Sequence, residues 1–421
     1  MLTLTTNPMR GTAMGDELPD RTVRGSRNEE TRQRNLSLLL NAVHASGHLT
    51  RSELTHHSGL NRSTVGALVG DLVDAGLVVE AEPQATRQAG RPSPVVRPHA
   101  DVVSVSVNPD VSGVNCAIVG LGGVVHMREG SLTPQPPTPE DTALFAKDFL
   151  SRVASELSST ARVAGVGVAI PGVVDEQTDT VRVAPHLDWI DVPLVSLIEE
   201  ALALPVRMAN DATLGVMAES MFGAGAGSDD VVYLNGSTSG LGGGVVSGGH
   251  IVKGVRGFGA ELGHVLIDPR GSVCGCGRTG CLETEVNIQR VWEAAGQGYV
   301  PIDELDHLYA DHPSAALGAE LDRQADALAA GIASLISVFA PARVILGGHV
   351  GALLDARGDR LRDAVRAQAL APLGDEVSLV RNALRERMVP IGAAELAFGP
   401  LLADPVNTPL FEVGSLKSIA N

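Results

Sequence analysis

Between Glu261 and Glu283 the chain places His264, Cys274, Cys276 and Cys281, so that 23 residues hold three of its four cysteines. Cys-x-Cys-x4-Cys with a histidine ten residues upstream offers three thiolates and one imidazole, the closed tetrahedral set that Zn²⁺ takes in structural sites. A chain wrapping one ion this tightly needs positive φ or close backbone approach, which Gly271, Gly275, Gly277 and Gly280 permit. The alternatives are three buried free cysteines or a disulfide. Four protein ligands leave no position for water, so zinc here is expected to brace the loop and to attack nothing. Glu261 and Glu283 flank the ligands as carboxylates that the metal does not need, free for a polar small molecule.

The chain, 421 residues long, has room for two or three domains. Aromatics make up only 3% of it, against stacking platforms for single-stranded nucleic acid. No apolar run reaches transmembrane length and no signal peptide is recognisable, so the expectation is a cytoplasmic protein without a membrane partner, its thiolates reduced and available to metal. The formal charge of −17 divides unevenly. Residues 1–100 carry 11 Arg against 10 Asp plus Glu, and the acidity lies in the remainder. A phosphate-facing surface therefore belongs in the first hundred residues.

Residues 1–25 lack periodicity and read as a disordered tail. Leu36, Leu39, Leu40 and Val43 then fall on one face of a first helix. Thr50-Arg-Ser-Glu53 is a capping box opening a second helix that Gly59 ends. Asn61 caps a third, with Val65, Leu68 and Leu72 as its buried stripe. Gly76 stops it, and a strand, a polar hairpin and a second strand follow. This pattern describes a winged helix-turn-helix over 26–98, with the helix after Asn61 directed N-terminus first into the major groove of double-stranded operator DNA. Arg51, Asn61, Arg62, Ser63 and Thr64 are candidate DNA contacts on this element, and Arg87 and Arg91 on the wing, Gln84 to Pro94. A small helical unit that binds protein or dimerises is the alternative. The few basic residues favour a dimer on a two-fold site.

Beyond Pro98 the chain alternates strands and helices in an α/β pattern of two halves with a cleft between them. Asn210-Asp211 stands between a strand, Val206 to Ala209, and a helix, where open α/β sheets bind ligands. Asp211 is a candidate base or sugar-hydroxyl acceptor, or an ordinary helix cap. The glycine-rich run Gly236 to Val246 suits a phosphate cradle or a tight hairpin.

Glu261-x-Gly-His264, followed by Cys274-x-Cys276-Gly-x-x-Gly-Cys281-x-Glu283, resembles the signature of the ROK family of repressors, open reading frames and kinases. Val166 to Gly172 and Asn210-Asp211-Ala212 match two further family motifs, and Gly90-Arg91-Pro92 matches the end of the repressor wing. The resemblance covers about residues 30 to 405 and points to the transcriptional-regulator branch of xylose and N-acetylglucosamine repressors. It implies the two-lobed actin-like, ribonuclease H-like fold, assembled as a homodimer or homotetramer. On this reading a sugar-sensing domain spans 99–405, with a zinc knuckle at 264–281 and a C-terminal tail over 406–421. The resemblance assigns His264, Cys274, Cys276 and Cys281 to structural zinc and Asn210, Asp211, Glu261, His264 and Glu283 to a sugar or sugar phosphate. In the family's kinases the residue matching Asp211 is the general base.

Family kinases open this domain with Asp-x-Gly-Gly-Thr, whereas here Asn108-Pro-Asp-Val-Ser-Gly113 stands in its place. Pro109 removes an N–H donor, and the second phosphate loop is altered to Ser237-Thr-Ser-Gly-Leu-Gly. The sequence therefore leads to the expectation of a sugar-responsive regulator, a repressor, that is not an enzyme. A kinase retaining activity and a DNA binder controlled by a protein partner are the rival readings.

Overall fold

The structure, a computed structural model, describes residues 22–81, 93–311 and 314–413. Helices α1 (Thr22–Ser46), α2 (Arg51–Ser58) and α3 (Arg62–Asp74) lead into a small antiparallel sheet. Its strands β1 (Leu49–Thr50), β2 (Val78–Ala81) and β3 (Val95–Pro98) lie in the order β1-β3-β2. Helix begins at Thr22, inside the stretch read as tail. Thr50 caps α2 with both halves of its capping box formed, and Gly59 closes it at φ 67°. Asn61 caps α3, whose Val65, Leu68 and Leu72 are buried. Helix pattern and caps are local physics, which is why these elements agree with the sequence.

The first α/β half contains β4 (Val102–Asp110), β5 (Gly113–Gly120), β6 (Val124–Gly130), α4 (Pro139–Val153) and β7 (Arg162–Ile170). A side sheet of β8 (Val173–Asp175), β9 (Thr180–Ala184) and β10 (Trp189–Val192) precedes α5 (Leu194–Leu202), β11 (Val206–Asn210) and α6 (Asp211–Phe222). The main sheet runs β11-β7-β4-β5-β6, with Phe411–Glu412 added antiparallel to β7. That strand and the buried Val413 fall within the stretch expected as C-terminal tail.

The second half repeats the plan. It holds β12 (Val231–Ser237), β13 (Gly240–Ser247), β14 (His250–Ile251), α7 (Leu282–Glu285), α8 (Ile288–Ala295), α9 (Leu305–Asp311) and α10 (Ala315–Phe339). Then come β15 (Arg343–Gly347), α11 (Gly348–Gln368), α12 (Leu373–Glu376), β16 (Ser378–Arg381) and α13 (Met388–Ala403). Its sheet order, β14-β13-β12-β15-β16, mirrors β6-β5-β4-β7-β11. In both halves three antiparallel strands are followed by two parallel ones, the two-lobed α/β arrangement that the resemblance implies.

Each half ends in a helix that packs on the other half. Helix α6 follows the last strand of the first sheet yet lies against β13, where side chains on Gly242 and Gly244 would meet Ala212 and Val216. Helix α13 follows the last strand of the second sheet yet lies on β7. A Cβ on Gly167 would run into the Ala393 carbonyl oxygen, so Gly167→Ala is expected to cost at least about 3 kcal/mol, read as a fall in the denaturation midpoint. The two helices also meet, with Gly392 pressed on the Leu214 backbone. Helix α13 is buried nearly all round, through Ile391, Ala393, Ala394, Phe398 and Leu401, and for that reason carries no one-sided periodicity. Among the described residues no helix is long and apolar enough to cross a membrane.

Candidate functional site

The parallel strands β4, β7 and β11 end side by side. Val107 of β4 pairs with Val168 of β7, and Ile170 with Asn210 of β11, which brings Asp110, Gly172 and Asn210-Asp211 to one edge of the sheet. Asn210 is the cap of α6. Its Oδ1 accepts from the amides of Ala212 and Thr213, both at 3.0 Å, and its Nδ2 donates to Gly172 O at 3.0 Å. The amide oxygen is thereby spent on the helix, and Asn210 acts mainly by fixing the strand end. Asp211 accepts from the Ala212 amide through Oδ1 at 2.8 Å, so its second oxygen is not used in capping the helix. Burial pushes its carboxyl up to about 7, and the charges of Asp110 and Glu261 add to the rise. Asp110 was not singled out in the sequence, although it lies at a strand end like Asn210-Asp211.

From the second half, a short turn over Leu262–His264 carries Glu261 and His264 toward the same edge. Gly263 lets this turn approach β13, since any side chain there would collide with Leu241 O. Burial also raises the Glu261 carboxyl, with Glu283 adding to the rise and His264 opposing it. Glu283 Oε1 lies 3.3 Å from His264 Nδ1 and 2.7 Å from Cys274 Sγ. The structure thus brings Asp211, Glu261, His264 and Glu283 into mutual range, with Asn210 adjacent. The glycine run 240–244 is strand β13, with Gly243 packed under Leu262. Its glycines admit α6 on one face and the Leu262–His264 turn on the other.

His264, Cys274, Cys276 and Cys281 each place a ligand atom within 4.8 Å of all the others. Cys276 Sγ and Cys281 Sγ stand 3.7 Å apart, and Cys274 Sγ and His264 Nδ1 3.6 Å. Bond lengths usual for zinc to sulfur and nitrogen give tetrahedral edges of about 3.8 Å and about 3.6 Å, so the donor set fits one tetrahedral ion. The cysteines are free of disulfides. The amide of Arg278 draws the Cys276 thiol down to about 6, whereas burial and Glu283 push Cys274 up. Two supports of this loop escaped the sequence reading. Arg278 donates to His264 O at 2.7 Å, and Glu285 accepts from the Ser272 amide at 2.8 Å while Arg323 donates to Glu285 O at 2.8 Å.

At the N-terminal helices, Asn61 Oδ1 accepts from the Thr64 amide at 2.8 Å and from Ser63 Oγ at 2.6 Å. Arg62 is exposed beside them. Arg51 makes a two-pronged ion pair with Glu80, at 2.5 and 2.7 Å, that joins α2 to β2. Arg87 and Arg91 lie outside the described residues, as does the Gly90-Arg91-Pro92 motif.

The model of the ROK family matches residues 109–399. The chain belongs to the ROK family. A xylose repressor of Caldicellulosiruptor bescii is 25% identical over 391 residues, spanning 89% of this chain and 98% of that repressor. A glucokinase of Thermotoga maritima is 33% identical over 270 residues, 59% of this chain and 85% of the kinase. A solved ROK family transcriptional regulator, a homologue of the E. coli MLC protein, has the same fold. It aligns with a TM-score of 0.73 at 24% identity, over 93% of this chain and 99% of that one. This ROK protein stands close to the xylose-repressor branch and is related to kinases as well.

The kinship with glucokinases overturns the expectation that the chain is not an enzyme. The Thermotoga maritima glucokinase matches it at 33% identity, so altered phosphate loops do not exclude phosphoryl transfer. In the structure Asn108 Nδ2 donates to Ala169 O at 3.0 Å, and Ser237 Oγ lies 2.7 Å from Ser239 Oγ. The first segment is thus tied to β7 and the second is held by a bond within itself, and Asp110, two residues beyond Asn108, supplies a carboxylate at the strand end.

Proposed function

We propose that this ROK protein is a sugar-responsive transcriptional regulator, a repressor acting as a homodimer or homotetramer. In this reading residues 26–98 are a winged helix-turn-helix that docks α3 on operator DNA, with Arg62, Ser63 and Thr64 toward the duplex and Arg87 and Arg91 on the wing. Residues 99–405 hold a sugar or sugar phosphate between Asp211, Glu261, His264 and Glu283. Zinc on His264 Nδ1 and the three cysteines braces Glu261 and Glu283 and leaves Nε2 of the same ring to a sugar hydroxyl. The observation that carries the reading is the N-terminal three-helix unit joined to a ROK domain, in a chain that a xylose repressor matches along 89% of its length.

A second reading, sugar phosphorylation in the same pocket, is favoured by Asp211. A carboxyl at the start of α6, raised by burial to about 7, suits a general base near neutral pH. One set of measurements tests both readings. Genomic fragments enriched by the purified protein are expected to release it on addition of D-xylose or D-glucose. Fragments that bind no better than random DNA, or that no sugar releases, would remove the regulator reading. Turnover of Mg-ATP with either sugar, abolished by Asp211→Asn, would establish the kinase reading, and its absence would remove it.

A further inference from the structure

Helix α1 carries two stripes. Leu36, Leu39, Leu40 and Val43 turn into the core of the N-terminal unit. Beside them Gln33, Ser37, Asn41 and His44 form a polar stripe, which runs antiparallel along α13. Gln33 donates to Asp404 at 3.1 Å, Ser37 and Asn41 donate to Leu402 O at 2.7 and 3.0 Å, and His44 meets Glu395 at 2.7 Å. The last contact differs in kind from the rest. The His44 and Glu395 side chains are 0% and 2% exposed. His44 Nδ1 accepts from the Gly122 amide at 2.9 Å, so the ring proton sits on Nε2 and is donated to Glu395.

The same ring touches α6. Its edge meets Phe222, the last residue of that helix, at 5.3 Å between centroids, and Phe398 of α13 at 5.9 Å. The first residue of α6 is Asp211, about 16 Å away along the helix axis. Glu219 ties this far end of α6 to the approach to α13 by accepting from the amides of Ala224, Ala383 and Leu384 at 2.8, 3.1 and 2.8 Å. A ligand held between Asp211 on one side and Glu261 and His264 on the other would bridge the two halves. Because α6 and α13 each end one half and pack on the other, any shift between the halves would alter how they cross. A residue bonded to one helix and stacked on the other must follow the change or lose a contact.

We propose that His44 is the coupling residue between the sugar pocket and the DNA-reading helices, passing the crossing of α6 and α13 to α1 through Glu395 and Phe222. The proposal rests on the regulator reading above. A buried hydrogen-bonded pair suits this task because its geometry is either met or broken, whereas an apolar contact slides.

The test compares full-length wild-type protein with His44→Phe/Glu395→Met, which keeps an aromatic ring against Phe222 and leaves no buried charge unpaired. Gln33→Ala serves as the control, since it removes a contact on the same stripe away from α6. DNA fragments selected by the wild-type protein are titrated with and without D-xylose and D-glucose, and sugar affinity is measured by calorimetry. In wild type, sugar is expected to change DNA affinity by roughly tenfold or more. In the double variant, sugar affinity and sugar-free DNA affinity are expected to stay within about threefold, while the change on sugar addition collapses to within about twofold. Gln33→Ala is expected to retain the wild-type response. A double variant that binds both ligands and responds fully overturns the proposal, as does Gln33→Ala losing the response equally. Wild-type protein that shows no response overturns the regulator reading itself, which separates the two failures.

Discussion

Replacing Cys276 by serine is expected to end stoichiometric zinc retention, to lower the unfolding midpoint by about 5–10 °C, and to weaken sugar binding by about 100-fold. Cys276 is the exposed member of the four candidate ligands, and its loss would leave three donors and a position open to water. The fall in sugar affinity follows from the backbone path. His264 is both a donor of the cluster and part of the turn that carries Glu261, and Glu283 follows Cys281 by two residues. Without an ion this loop keeps only its own backbone bonds and the contacts of Arg278, Glu285, Arg290 and Arg323 among the described residues. Zinc content by atomic absorption, a thermal melt and a sugar titration are the measurements. Unchanged sugar affinity in a metal-free variant of wild-type stability would dismiss the bracing role.

Asp211→Asn is expected to do two opposite things. On the proposed reading it removes a charged acceptor of a sugar hydroxyl and weakens binding by about 2–3 kcal/mol, roughly 30- to 150-fold. It should also stabilise the protein at neutral and alkaline pH. Burial holds the Asp211 carboxyl near 7, against an ordinary value of 3.8, so between those limits the folded chain binds a proton that the unfolded chain has released. Stability attached to this group is therefore complete below about pH 4 and is lost as pH rises toward 7. Above 7 the penalty is constant, at most about 4 kcal/mol. Asparagine, which does not ionise, avoids it. Denaturation of both proteins at pH 4 and pH 8 reads the difference, and a variant less stable than wild type at pH 8 would contradict the account. Sugar affinity of the wild type should rise from pH 6 to pH 8 as the carboxyl ionises, and a flat profile would contradict it equally.

Several site features were legible in the sequence and several were hidden, and the division follows the range of the interactions. The spacing of Cys274, Cys276 and Cys281 and their distance from His264 were sufficient to group them, because a metal knuckle closes within a short stretch. Asn210-Asp211 could be placed at a strand end, but not which of the two has a free oxygen. The Asn210 oxygen goes to the amides of Ala212 and Thr213, and Gly172, 38 residues away, takes its Nδ2 and so fixes that orientation. The glycines at 242–244 read equally well as a phosphate cradle or a hairpin until Ala212, Leu262 and Val216 were seen pressing on them. Arg51 was read as a DNA contact from its position at the start of α2, and its pairing with Glu80 came from β2, beyond the third helix.

The sequence alone determined the caps and stripes of the three N-terminal helices, the alternation of strand and helix that follows, the donor set of the metal cluster and the family. Each rests on residues close along the chain, where periodicity and spacing act directly. Only the tertiary structure decided that α6 and α13 cross between the two sheets, that Asp110 joins the carboxylates at the strand ends, and that the polar residues of α1 face α13. Those outcomes depend on which distant surfaces bury one another. His44 and Glu395 are 351 residues apart, and neither has a local pattern that names its partner.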